Sequence, residues 1–153
     1  MASPPKSRRR PRPDDPAIAA ARARFGRARD DRQSEIAEDY VELIDDLIRV
    51  HGEARATDIA RSLGVSHVTV IRTVARLVRD GLAATEPYAA ITLTETGRAL
   101  AARMRQRHAV VEAFLKAIGV DEATARQDAE GIEHHVSEAT LAAMKNFLDK
   151  LQK

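Results

Sequence analysis

The chain has 153 residues, no cysteine and a formal net charge of +2. This length allows one hydrophobic core or two small subdomains, and the lack of cysteine excludes disulfides, zinc–thiolate sites and thiol catalysis. The sequence has no apolar run near the roughly 18 residues of a membrane span, and its start lacks the apolar segment of a signal peptide. It therefore predicts a cytoplasmic protein without a membrane partner.

The first 32 residues are basic and rich in proline. They contain ten lysines and arginines against four acidic residues, whereas the rest of the chain has fifteen basic and nineteen acidic residues. Five of the six prolines also lie here. Because such a segment buries little apolar surface, it predicts a disordered basic arm over residues 1–31. The arm is either a solubilising tail or a nucleic-acid contact, made above all by Arg8, Arg9 and Arg10.

Apolar residues at helical spacing predict three helices in the next part of the chain. The first covers residues 34–50, and a short second helix follows Thr57. Gly64 then supplies a turn. Ser66 is a good N-cap for a third helix that reaches Asp80.

The second half begins with the stretch GLAATEPYAAITLTETG. Two short runs in it, residues 82–86 and 90–93, predict a small hairpin. Helices are expected over residues 95–118 and 121–135, and a last one from Ser137 onwards. The sequence therefore predicts a mainly α-helical protein.

The order helix, short helix, glycine turn, helix and hairpin is typical of a winged helix-turn-helix, and it predicts a DNA-binding domain over residues 32–95. In such a domain the third helix enters the major groove. Short polar side chains at its start suit base edges, and arginines on its outer face suit phosphate or guanine. The predicted DNA-contacting residues are Ser66, His67, Thr69, Arg72, Thr73 and Arg76. A metal-free winged helix that binds protein is the alternative.

The motif EGIEHH, residues 130–135, crowds acidic and histidine side chains together. Glu130, Glu133 and His134 stand at positions i, i+3 and i+4, so they share one helix face. His135 points about 100° away from His134 by the helical period. The shared face predicts three metal ligands.

Three residues outside this motif are further candidate ligands. Asp39 and Glu42 stand three residues apart on the flank of the first helix, and His108 lies on the apolar face of the long helix. Taken alone, the acidic pair suits a solvated helix flank and His108 suits a hydrogen-bonded core histidine. Joined with EGIEHH they make a set of four carboxylates and two imidazoles, which suits Mn²⁺ or Fe²⁺. Two divalent cations would cancel the carboxylate charge of about −4, so a binuclear site is self-consistent.

These motifs together resemble the manganese transport regulators of the diphtheria-toxin-repressor family. The resemblance covers roughly residues 39–150 and rests on DYVELI, VSHVTVIRTVARL, RHAVVEAFLKAIGV and DAEGIEHHVSEAT. It implies metal ligands at Asp39, Glu42, His108, Glu130, Glu133 and His134. It also implies a homodimer built by a helical metal-binding and dimerisation domain, residues 96–153, that represses manganese-uptake genes at a palindromic operator on double-stranded DNA.

The residues leave the metal and the function class open. Iron-type relatives usually carry methionine where Asp39 stands and cysteine where Glu130 stands, so the resemblance favours Mn(II), two ions per subunit, over Fe(II). A metallohydrolase is a further alternative, because Glu and His near a metal can activate water. The sequence has no HExxH motif, and six protein ligands leave little room for an organic substrate, so we expect no enzyme activity.

Overall fold

The structure is a computed structural model that describes residues 15–86 and 89–151. Its elements in chain order are α1 (Pro16–His51), α2 (Ala56–Leu63), α3 (His67–Arg79), β1 (Ala83–Ala84), β2 (Thr92–Leu93), α4 (Glu95–Ala117), α5 (Glu122–His135) and α6 (Glu138–Leu151). The chain divides into two compact units, residues 1–34 and 35–153. None of the described helices is long and apolar enough to cross a membrane. The predicted fold class, mainly helical with a winged helix-turn-helix order, is confirmed.

The first unit corrects part of the predicted disordered arm. Helix α1 begins at Pro16, so residues 16–31 are helical rather than disordered. Six of these sixteen residues are alanine, the strongest helix former, and Pro16 suits the first helical position. Asp15 accepts a hydrogen bond from the backbone N–H of Ala17 at 2.8 Å, as a capping residue does. The rest of the arm, including Arg8–Arg10, lies outside the described residues.

The second unit begins with a core that ties α1 to the DNA-reading helices. Val41 and Ile44 of α1 are fully buried, together with Ile59 of α2 and Val70 and Leu77 of α3. These residues repeat at the spacing of one helix face, which is why an amphipathic pattern in the sequence produces this packing. The last part of α1 is therefore fixed to the helices that would read DNA.

The turn between α2 and α3 forms as expected. Gly64 ends α2 with φ 65°, a left-handed conformation that glycine adopts without strain. Ser66 caps α3, because its Oγ accepts a hydrogen bond from the N–H of Thr69 at 3.1 Å. The Gly64 turn and the Ser66 cap thus set the angle between α2 and α3.

The hairpin is shorter than the sequence predicted. Strands β1 and β2 pair antiparallel over two residues each, with Ala83 opposite Leu93. Ile91 forms an isolated bridge to Ala54, in the loop before α2. The tip of the predicted hairpin, Pro87 and Tyr88, lies outside the described residues.

Gly97 lies in the first turn of α4, where this helix approaches the backbone before β1. A Cβ at Gly97 would lie 1.9 Å from the carbonyl oxygen of Leu82. Because backbone yields less readily than a side chain, we expect Gly97→Ala to lower the free energy of unfolding by about 3 kcal/mol.

Gly131→Ala is the matched control for Gly97→Ala. Gly131 is also a helical glycine, but apart from its chain neighbours and the nearby backbone of its own helix no described atom lies within 4 Å of its Cβ position. This change should raise the free energy of unfolding by roughly 0.5–1 kcal/mol, because alanine is the better helix former. Urea unfolding followed by circular dichroism measures both variants, and equal midpoints would contradict the close approach at Gly97.

Helix α4 packs against both α5 and α6, and these three helices complete the second unit. Met104 and Val111 of α4 are buried, and so are the small residues Ala125 and Ala129 of α5. Alanines allow the two helices to approach closely, which brings the polar side chains of α5 near those of α4. The Phe114 and Phe147 rings meet edge to face at 5.5 Å between α4 and α6.

Candidate metal centre and DNA-reading surface

Glu133 lies at the middle of the candidate metal centre. Its side chain, in the last turn of α5, is 2% exposed. Oε2 lies 2.6 Å from Nδ1 of His108, and Oε1 lies 3.7 Å from Nε2 of His134. The two oxygens of one buried carboxylate therefore face two different histidines, an arrangement able to join two neighbouring cation sites.

His108 forms the first group of potential ligands with Glu130 and Glu133. One ligand atom from each of these three residues lies within 4.8 Å of the others. Oε1 of Glu130 is 3.7 Å from Nδ1 of His108, and Glu130 is exposed whereas Glu133 is buried. Two carboxylates and one imidazole at this spacing suit a divalent cation that prefers oxygen and nitrogen.

His134 forms the second group, with two acidic residues of α1. Its Nε2 lies 3.1 Å from Oδ1 of Asp39, and its Nδ1 lies 2.8 Å from Oε2 of Glu38. The His134 side chain is nearly fully buried. Sequence reasoning missed Glu38, although Glu35, Glu38 and Glu42 repeat at the spacing of one helix face and could have indicated it.

An open cavity of about 360 Å³ adjoins both groups. Asp39, Glu42, Glu130 and His134 line it, together with Glu35, Leu43, Asp46 and Leu63. Burial raises the pKa of Glu42, and the neighbouring Asp46 raises it further. The structure thus brings the six sequence-predicted ligand candidates to one place, between α1, α4 and α5.

The pKa values of Glu133 and His134 show how the candidate metal centre is protonated. Burial raises the pKa of Glu133 to about 7, although His108 opposes the shift. Hydrogen bonds to Asp39 and Glu38 raise the pKa of His134 to about 10. Near neutral pH the carboxylate-rich site therefore retains protons, which are the positive charges that a metal cation would replace.

His135 is separate from this centre, as the helical period predicted. Its Nε2 lies 3.7 Å from Oε2 of Glu35, and its side chain is 61% exposed. It lines another open cavity with Ile132 and Val136, among others.

Besides Glu38, two further contacts in or beside the centre were not predicted from the sequence. Oε2 of Glu112 lies 3.4 Å from Nε2 of His108, on the side away from Glu133. Arg105 of α4 forms a 2.6 Å ion pair with the buried Asp45 of α1. The i, i+4 spacing of His108 and Glu112 was a signal for the first contact. The second depends on how α1 and α4 pack, so no sequence spacing indicates it.

The candidate DNA-reading surface is the outer face of α3. His67, Thr69 and Arg72, all predicted contacts, are exposed there. Thr73 and Arg76, also predicted, are only partly exposed. The Ser66 side chain is engaged as the N-cap, so this residue offers its backbone rather than a free hydroxyl.

The same face carries residues that the sequence reasoning passed over. Val68 and Ile71 are apolar yet 58% and 49% exposed. Arg79 is exposed at the end of the helix. A helical projection opposite the buried Val70 and Leu77 would have selected Val68 and Arg79. Exposed apolar side chains beside arginines suit the mixed chemistry of a major groove, where thymine methyl groups neighbour polar base edges.

Two protein-family models match adjoining parts of the chain. Residues 33–91 match the N-terminal DNA binding domain of the iron dependent repressors. Residues 94–153 match the metal binding and dimerisation domain of the same repressors.

Curated relatives are similar over most of the chain. The transcriptional regulator MntR of Escherichia coli O6:H1 is 48% identical over 126 residues, which are 82% of this chain and 81% of that protein. The HTH-type transcriptional regulator MntR of Bacillus subtilis is 43% identical over 100 residues, 65% of this chain and 70% of that protein.

Solved structures of metal-dependent regulators share the fold. A manganese-dependent transcriptional repressor in complex with manganese superposes with a TM-score of 0.67 and 30% identity, over 74% of this chain and 52% of that one. The manganese regulator SloR superposes with a TM-score of 0.65 and 27% identity, over 74% of this chain and 53% of that one. The present chain thus spans about half the length of these structures.

Proposed function

This chain belongs to the MntR family of transcriptional regulators, among the iron dependent repressors, and we propose that it is a manganese-responsive transcriptional repressor. The single observation that carries the proposal is Glu133, a buried carboxylate with one oxygen toward each of two histidines. Such a group is costly to bury without a cation nearby. The relatives are regulators of transcription, so we propose a non-enzymatic role, without an organic substrate, in the cytoplasm.

The proposed metal is Mn(II), with two ions per subunit. The proposed ligands are Asp39, Glu42, His108, Glu130, Glu133 and His134. The donor set fits this metal, because it offers only carboxylate oxygens and imidazole nitrogens and includes no thiolate. The closeness of His108, Glu130 and Glu133, within 4.8 Å of one another, supports one of the two sites.

The proposed mechanism couples this centre to DNA through α1. Bound Mn(II) would supply the positive charge that neutralises the clustered carboxylates. Asp39 and Glu42 project from the part of α1 that packs on the DNA-reading core, whereas His108 is on α4 and Glu133 and His134 are on α5. Holding these side chains together restricts the motion of α1 relative to α4 and α5. Part of the coupling is entropic, because the metal-bound protein has fewer conformations to lose on binding DNA.

In the proposed homodimer, this restriction narrows the range of distances between the two α3 helices. A palindromic operator offers half-sites about one helical turn apart, so a narrower range lowers the free-energy cost of matching both. We assign DNA reading to residues 32–95, and metal binding and dimerisation to residues 96–153, with Asp39 and Glu42 contributed by the first part.

The test of this proposal is metal-dependent binding of DNA. Duplexes selected from a random pool by the Mn²⁺-loaded protein should be palindromic. Fluorescence anisotropy should then show an affinity that falls at least about tenfold when Mn²⁺ is chelated. Affinity that is the same with and without chelator would contradict the switch.

Fe(II) is the second candidate effector, because the matching family models are those of iron dependent repressors. Carboxylates at positions 39 and 130 are the harder ligands and favour Mn(II). Anaerobic titration of the selected duplex with Mn²⁺ and with Fe²⁺ separates the two. Because a given site binds Fe²⁺ more tightly than Mn²⁺, DNA binding promoted by Fe²⁺ and not by Mn²⁺ would assign the chain to iron.

The proposed DNA contacts are the sequence-predicted residues Ser66, His67, Thr69, Arg72, Thr73 and Arg76, with Val68 and Arg79 added from the exposure of α3. We expect Arg72→Ala to weaken operator binding by about 1–3 kcal/mol if Arg72 reads guanine. If Arg72 contacts phosphate instead, a plot of the logarithm of the binding constant against the logarithm of the salt concentration should become less steep by about one unit of slope.

Arg126→Ala is the matched control for Arg72→Ala. Arg126 is an exposed arginine of α5, paired with Glu122 at 3.4 Å and outside α3. Its removal changes the net charge equally but should leave operator affinity nearly unchanged. Anisotropy titrations at several salt concentrations measure both variants, and equal losses would contradict a specific role for Arg72.

A further inference from the structure

Arg107 is a buried arginine next to the candidate ligand His108, and none of the roles above involves it. It is 7% exposed, although arginine is rarely buried unless its charge is paired. Its hydrogen bonds all run to the junction between α5 and α6. Nε and Nη2 donate to the carbonyl oxygen of Glu133 at 3.0 and 2.8 Å, Nη2 also donates to the carbonyl of Val136, and Nη1 donates to Oε1 of Glu138 at 2.6 Å.

These bonds meet a need of α5 that its own backbone does not satisfy. The last four carbonyls of a helix have no partner within that helix, and α5 ends at His135. The carbonyl of Glu133 is one of them, and it accepts from the guanidinium. A cation at a helix C-terminus is also favoured by the helix dipole.

Glu133 is consequently held at both ends by consecutive residues of α4. Arg107 binds its backbone carbonyl, and His108 contacts its carboxylate at 2.6 Å. The contact with Arg107 sets the position of the last turn of α5. That position brings the Glu133 carboxylate within reach of His108. His134 follows Glu133 directly, so the same contact determines how His134 approaches Asp39.

We propose that Arg107 is a positioning residue for the metal centre, which fixes the last turn of α5 so that Glu133 and His134 meet their partners on α4 and α1. The inference rests on the proposed function, because it concerns the same centre. Groups that orient metal ligands typically contribute 10- to 100-fold to affinity, and the planar fork of arginine reaches several oxygens at once where lysine offers a point charge.

The test is titration of the full chain with Mn²⁺, in which the electron paramagnetic resonance signal of free Mn²⁺ reports binding. Arg107→Lys keeps the charge but loses the fork, and we expect Mn²⁺ affinity to fall roughly 10- to 100-fold. If Arg107→Lys does not fold, Arg107→Gln, which keeps one N–H donor, takes its place with the same expectation.

Two controls separate positioning from general stability. Glu138→Ala removes only the exposed partner, whose side chain is 79% exposed, and should leave Mn²⁺ affinity within about fivefold. Val74→Ala lowers stability in the DNA-reading core, away from the centre, and should leave Mn²⁺ affinity unchanged. The unfolding temperatures of the metal-free proteins show how far Val74→Ala and Arg107→Lys each lower stability, so that their Mn²⁺ affinities can be compared at a similar loss of stability.

The possible outcomes are distinct. A folded Arg107 variant with normal Mn²⁺ affinity would overturn this inference but not the proposed function. So would an equal loss of Mn²⁺ affinity in Val74→Ala and the Arg107 variant when both have the same unfolding temperature. Failure of the unsubstituted protein to bind Mn²⁺ would overturn the proposed function and this inference with it.

Discussion

Glu133→Gln is expected to abolish manganese-dependent DNA binding while making the metal-free protein more stable above pH 7. The amide keeps the shape of the side chain but offers no negative charge to a cation, so Mn²⁺ should bind at least about 100-fold more weakly. Glu133 suits this test because, among the residues that the structure describes, it is the one carboxylate that faces both His108 and His134, at 2.6 and 3.7 Å.

The gain in stability follows from the pKa of Glu133. Burial raises this pKa from 4.5 in the unfolded chain to about 7 in the folded one. The stability that the group contributes is therefore fully present below pH 4.5 and is lost as the pH rises through 7. Glutamine remains neutral at every pH, so the variant should keep this stability at pH 8, where the unsubstituted protein has lost it.

Mn²⁺ titration measures the loss of affinity. Thermal unfolding at pH 8 in the presence of chelator measures the gain in stability of the metal-free protein. Asp128→Asn is the matched control, because Asp128 is an exposed carboxylate on the same helix that lines the cavity beside His135. It should change neither quantity. A Glu133→Gln variant that still binds Mn²⁺ with unchanged affinity would remove Glu133 from the ligand set.

Mn²⁺ binding is expected to release protons, with a count that depends on pH. At pH 7 the pKa of Glu133, about 7, leaves that group half protonated, and the pKa of His134, about 10, leaves it fully protonated. Both must lose their protons to bind a cation, so roughly 1.5 protons per subunit should leave at pH 7. The number should fall to about one near pH 8.5, where only His134 still carries its proton.

The sign of the linkage is the same for both groups. Each folded-state pKa is raised, so each contributes stability to the metal-free protein that is lost as the pH rises, from 4.5 through 7 for Glu133 and from 6.5 through 10 for His134. The affinity for Mn²⁺ should rise over the same intervals. Stabilisation by Mn²⁺ is therefore expected to be greatest in mildly alkaline solution.

Calorimetry under anaerobic conditions in two buffers of different ionisation enthalpy counts the protons. His135→Gln is the control, because it removes the neighbouring histidine, whose side chain is 61% exposed and pairs with Glu35. The count should not change in this variant. Release of fewer than about half a proton per subunit at pH 7 would mean that Glu133 and His134 do not bind the ion together.

The local structure of this protein was largely predictable. Ser66 is predicted as an N-cap, and its Oγ accepts the expected hydrogen bond from the N–H of Thr69. The arm is an exception within the described residues, because its proline and charge content predicts disorder over residues 1–31 whereas the alanines that follow Pro16 favour a helix. Composition over a long window hid a local change in helix propensity.

The candidate centre was predictable as a set of residue types, but its arrangement was not. The helical period places Glu130 and His134 on one face of α5 and Glu38 on one face of α1 with Glu35 and Glu42, but it does not indicate that Glu38 contacts His134. Arg107 carried no sequence signal, since three of its four hydrogen bonds go to backbone carbonyls, which every residue has. Contacts of this kind depend on where a helix ends rather than on which side chains it carries.

Apart from the start of α1, the sequence by itself determined the helices, the Ser66 cap, the winged order and the identity of the potential ligands, because each depends on residues a few positions apart. Only the tertiary structure decided which of the potential ligands meet. The pairs His108–Glu133, Arg107–Glu133 and His134–Glu38 join residues 25, 26 and 96 positions apart. Their distances follow from the packing of α1, α4 and α5, where alanines allow close approach and a buried arginine fixes the last turn of α5.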